Sequence, residues 1–193
     1  MKRLFFSFLF IIFVVLYVRA DKTLWEIGEK NNSSAEFALG PSGYTKFLAN
    51  DFGYEDRYFL IGGSDVSKDF PYVLPGPADQ WGGTGGTSGW RTHDATILFD
   101  LANVPKSKDW KLVVDLLGAS PIGAVVKIRI NSVDKRFVVD GGVKEVLEGD
   151  LRNAKNSALI FPIPADELKK GGNTVVISVL EGGWIVFDQI RLV

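Results

Sequence analysis

The sequence predicts an all-β domain, two antiparallel sheets packed face to face as a β-sandwich, a jelly roll of the galactose-binding-like kind. Two observations predict it. Short runs rich in β-branched and aromatic residues recur along the chain, each closed by Gly, Pro, Asn or Asp. The alternation of strand and helix patterns that marks a parallel α/β sheet is absent from the sequence. Cysteine is absent too, so the core must hold without disulfides, which a domain of this length can do.

The first residues read as an export leader rather than as structure. Met1-Lys2-Arg3 is a basic start, Leu4 to Val18 is an apolar run, and Val18-Arg19-Ala20 offers small residues where a signal peptidase reads. The sequence therefore predicts a signal peptide over 1–20, a single domain over 21–193, and a secreted or periplasmic location. Loss of the leader removes three basic residues, leaving 19 against 23 acidic ones. A mildly acidic chain without a basic run argues against nucleic acid as a partner.

Shorter strands are expected first, over Leu24 to Ile27, Ala35 to Leu39 and Arg57 to Gly62. Longer ones follow over Ala95 to Leu101, Trp110 to Leu117, Ala124 to Asn131, Lys135 to Asp140, Ala158 to Ile163, Asn173 to Leu180 and Trp184 to Leu192. The alternation is strict in Val126-Lys127-Ile128-Arg129-Ile130, which gives one apolar and one basic face. Helix is expected only over Lys144 to Lys155 and for one turn over Ala165 to Lys170, the latter stopped by Gly171-Gly172. Between the early and late strands, DFPYVLPGPADQWGGTGGTSGW spans Asp69 to Trp90. Its prolines and glycines exclude a helix and break any central strand, yet it carries two of the five tryptophans.

Three stretches together resemble a known family. LWEIG with SSAEF, then YFLIGGSDVSKDFPYVLPGPADQW, then FPIPADELKKGGNTVVISVLEGGWIVFDQIRL are similar to the third, C-terminal domain of rhamnogalacturonan lyases of polysaccharide lyase family 4. The likeness runs over nearly all of 23–193. It implies a jelly roll similar to carbohydrate-binding modules and a pectic or other plant-glycan setting. In that family the catalytic groups lie in a large N-terminal β-domain, so no catalytic residue carries over. The resemblance implies a non-catalytic module that binds polysaccharide or oligosaccharide, as a monomer, beside a separate catalytic domain.

The residues themselves offer one cluster for chemistry. Arg91, His93 and Asp94 supply a cation for a uronate, a base and a carboxylate to orient it, which an accessory lyase or hydrolase would need. The alternative is that His93 and Asp94 simply lead into the strand at Ala95, and a docking or adhesion role for the whole module stays open beside both. Trp81 and Trp90 flank a glycine run, with Tyr72, Gln80, Arg91 and His93 close in sequence. Indole stacks on the C–H faces of sugars while polar neighbours bond hydroxyls, so these six residues form the candidate carbohydrate site. The competing reading makes the indoles a plug at the end of the sandwich. No cofactor is required, but similar sugar-binding sandwiches often hold a structural calcium between an early and a late acid. Glu36 and Asp188 are the candidates for it here.

Overall fold

A computed structural model describes residues 23–52, 57–85, 93–104, 110–164 and 166–193. The expected leader lies outside them. Among the described residues no helix is long and apolar enough to cross a membrane. The strands, in chain order, are β1 (Trp25–Gly28), β2 (Tyr58–Leu60), β3 (Val73–Leu74), β4 (Asp94–Leu101), β5 (Lys111–Ala119), β6 (Ala124–Ile130), β7 (Val133–Val139), β8 (Ser157–Pro162), β9 (Gly171–Gly182) and β10 (Ile185–Leu192). The sole α-helix among the described residues, α1 (Val66–Asp69), is a single turn capped by the Asp65 carboxylate, which accepts from the Ser67 amide.

Two sheets form. The first runs β1-β10-β5-β8, with β3 also paired to β10, and the second runs β2-β4-β9-β6-β7. The alternation read in β6 sets its facing. Val126, Ile128 and Ile130 are fully buried between the sheets, while Lys127 and Arg129 look outward. All pairs are antiparallel except β2 with β4, which run parallel because the chain crosses to the first sheet for β3 before returning as β4.

Several expectations are revised. Ala35 to Leu39 is not a strand. It is a series of turns with one bridge, Ala38 to Pro71, and Phe37 inserts into the core against Phe70. The helix expected over Lys144 to Lys155 shrinks to a 3₁₀ turn, Lys144–Glu148, that ends at Gly149 with φ of 85°. No helical turn forms over 166–170, where Asn173 instead bonds Lys169 and Gly171 and fixes a tight turn. In each case short polar side chains or glycine compete with the helix for backbone groups. The Pro-rich stretch does hold regular structure, namely β3, whose brevity suits a strand hemmed by prolines.

Between the sheets the core mixes aliphatic and aromatic side chains. Phe59, Phe70 and Phe187 stack edge-on at 5.4 Å, and Trp25, Trp110 and Trp184 are all buried. Tyr72 lies in this core with no exposed surface, and its hydroxyl donates to the Leu147 carbonyl at 2.6 Å. That bond ties the early segment to the 3₁₀ turn at Lys144–Glu148. Tyr72→Phe leaves the carbonyl unmet and should lower unfolding free energy by about 1–3 kcal/mol in urea titration, with the slope unchanged.

Candidate functional site

The loop that follows β3 is built by close backbone approach. Gly76 lies against the carbonyls of Gly182 and Gly183, and Gly82 lies against the ring of Pro75, so a β-carbon at either position would clash. Asp79 accepts from the Gly76 amide at 2.8 Å, and Thr84 Oγ1 donates to the Asp79 carbonyl at 2.8 Å and also bonds the Gly76 carbonyl. These two glycines let the loop backbone pack closely against its neighbours. Burial pushes the Asp79 carboxyl up to about 6, against the pull of the Gly76 and Trp184 amides.

A short 3₁₀ turn, Gln80–Gly82, carries Trp81 onto a second aromatic layer. Its indole meets Tyr44 edge-on at 5.2 Å and Phe47 at 6.0 Å, and it remains half-buried. Beside it Gln80 is exposed. His93 sits beneath the loop at 5% exposure, 5.6 Å from Phe47, with Nε2–H donating to the Gly82 carbonyl. Trp81 and His93 are thus gathered around Phe47, with Gln80 at the surface, while Tyr72 belongs to the core and presents no ring face outward. Trp90 and Arg91 lie outside the described residues. Tyr44 and Phe47, which hold the indole, fall in a segment with no strand or helix pattern, and nothing in their spacing points to Trp81.

The cluster considered for catalysis is divided. His93 Nε2 carries its proton to a carbonyl, so that nitrogen is no base. Asp94 begins β4 on the outer side and accepts from Ser178 Oγ. Each carboxylate of the calcium pair engages backbone amides through one of its two oxygens. Asp188 is 2% exposed, and its Oδ1 receives the amides of Asn31, Asn32 and Ser33 at 3.3, 3.0 and 3.4 Å. Glu36 Oε1 receives the Glu29 amide at 2.9 Å. A calcium ion takes six to eight oxygens and would have to use the other oxygen of each carboxylate. Among the described residues no three His, Asp or Glu side chains group as a metal site. Burial is the main cause that raises the Asp188 carboxyl above its usual range, and the three amides oppose it.

Two measurements follow from this geometry. Asp188→Ala should cost about 1–3 kcal/mol by leaving three amides without their carboxylate, and a drop in melting temperature on chelation that calcium reverses would place the ion at this pair. For Asp79 the folded pKa exceeds the unfolded one, so the fold prefers the protonated acid. Its contribution is complete below about 4, the unfolded value, and is lost as pH rises through about 6. Asp79→Asn retains an acceptor for Gly76 and should flatten the decline of stability across that window in pH-resolved melts.

Comparison with curated proteins finds no match to this sequence. Among solved structures, a family 115 4-O-methyl-α-glucuronidase with specificity for decorated arabinogalactans aligns over 93% of this chain and 19% of its own, at 13% identity and a TM-score of 0.45. The chain thus spans about a fifth of that enzyme's length. A CBM36 domain of a xylanase from the hindgut metagenome of Trinervitermes trinervoides aligns over 53% of this chain and 71% of its own, at 9% identity and a TM-score of 0.36. A CBM35 from Cellvibrio japonicus Abf62 aligns over 53% and 65%, at 12% identity and 0.37. The sequence itself matches one family description, CBM-like, polysaccharide lyase family 4, domain III, over residues 23–192. With nearly its whole described length matched, the chain belongs to the CBM-like domain III family of polysaccharide lyase family 4.

Proposed function

We propose that this protein is an exported, non-catalytic carbohydrate-binding module, processed to a single domain over 21–193, that attaches to pectic or related plant cell-wall polysaccharide. Membership of a CBM-like family named for a polysaccharide lyase supports the ligand class. The observation that carries the reading to a place is Trp81. Its indole is held edge-on by Tyr44 and Phe47, keeps part of its surface in solvent, and stands beside the exposed Gln80 amide. A fixed aromatic ring with an adjacent amide meets the two needs of sugar binding, an apolar face for C–H groups and a bonding group for hydroxyls. The ring is already ordered in the free protein, so little side-chain entropy is lost on binding.

The engagement of His93 with Gly82 and of Asp94 with Ser178 favours binding over chemistry. The module then acts beside a catalytic domain supplied separately.

Titration calorimetry and affinity electrophoresis against rhamnogalacturonan and homogalacturonan test this. Binding is expected without release of unsaturated uronates. Trp81→Ala should weaken it by about 1–3 kcal/mol while a cooperative melt is kept. Absence of binding to any plant polysaccharide, or unsaturated products that vanish in His93→Ala, would overturn the proposal.

A further inference from the structure

One flank of the sandwich is open. β7 ends the second sheet and β8 ends the first, so two unpaired strand edges run near one another. Between them lies a groove of about 290 Å³, close to the lower end of the ~300–1,000 Å³ typical of ligand pockets. Phe137 and Leu159 give it an apolar lining, and Asp140, Lys155, Asn156 and Ser157 give it a polar one.

The polar groups are incompletely used. Asp140 forms no hydrogen bond or ion pair among the described residues. Asn156 spends its Nδ2 on Asn32 Oδ1 at 2.6 Å, which leaves its own carbonyl oxygen unengaged. Ser157 Oγ is buried and has no partner, an arrangement that native proteins seldom tolerate without something to fill it. Lys155 donates to the Gly141 carbonyl at 3.0 Å.

We propose that this groove is a second glycan subsite that takes one neutral pyranose ring. The inference rests on the carbohydrate reading above but on residues separate from Trp81. A pyranose presents C–H faces to Phe137 and Leu159 and hydroxyls to the carboxylate, the amide carbonyl and the free backbone groups of two strand edges. The charges of Asp140 and Lys155 cancel, so the lining selects hydroxyls and gives a uronate no net attraction. A polypeptide strand is the other natural occupant of a free edge. Here β7 carries Lys135 and Arg136, and β8 closes on Pro162, features that oppose strand addition.

The experiment is a titration of ¹⁵N-labelled protein with methyl glycosides of galactose, glucose, mannose and xylose, beside the methyl glycoside of galacturonic acid as its sodium salt. Neutral glycosides should shift amides over 137–140 and 155–159, and the uronate should bind more weakly. The double variant Asp140→Ala, Asn156→Ala should reduce affinity about tenfold, the equivalent of about 1.4 kcal/mol, whereas Trp81→Ala should leave these shifts intact. Ser157→Phe, which fills the groove, should abolish them, with the double variant as the control if filling disturbs the fold. Shifts absent from the groove while polysaccharide still binds through Trp81 would refute the subsite and spare the module. Failure of glycosides and polysaccharide alike would remove both, and a uronate that binds as tightly as the neutral sugars would overturn the selectivity.

Discussion

β10 carries the architecture. Three strands pair with it, β1 and β3 along one side and β5 along the other, and seven of its eight residues are buried. A strand covered on both faces needs something to satisfy its outward polar groups, and the sequence supplies it locally. The register slips between Phe187 and Gln189, and at that irregularity Asp188 gathers three amides of the 31–33 loop. Nearby, Asp115 of β5 is 4% exposed and is met by Lys30 at 2.9 Å and by Arg191. A buried carboxylate between two cations is tolerable only if both contacts persist, so the 29–34 loop is held to the sheet from two sides.

That constraint also bears on the phenylalanine cluster of the core. With the 29–34 loop fixed, the chain turns inward at Phe37 and reaches Phe70 and Tyr72 by way of α1. Apart from the short strands β2 and β3, the described residues between Lys30 and Leu74 thereby form turns and single helical turns rather than further strands. Trp81 is set on the continuation of this stretch, which is why it rests on Tyr44 and Phe47 rather than on residues of a sheet.

Much of this was readable from residue type and period. The seven longer strands appear within a few residues of their expected bounds, because alternating or wholly apolar β-branched runs have few other ways to bury themselves. Segments without a period were misread. Ala35 to Leu39 is apolar enough for a strand but packs through the adjacent Phe37 and Ala38 rather than through alternate residues, and α1 is too short to leave a pattern. The candidate site was legible only as a neighbourhood. Closeness in sequence joined Tyr72 to Gln80 and Trp81, but β3 turns Tyr72 into the core while the loop carries Gln80 to the surface. The β7–β8 groove left no trace in the sequence at all, since its walls belong to different sheets and meet only through the fold.

The pairing of β1 with β10 sets Trp25 opposite Leu192. Adjacent antiparallel strands lie about 4.8 Å apart, so the two ends of the folded unit are neighbours on one sheet edge. A short glycine-rich bridge would join them with little distortion. New ends opened at the exposed turn around Ile122, between β5 and β6, would leave every strand pairing intact. The contact that closes the first sheet thus also brings the two ends of the folded unit together.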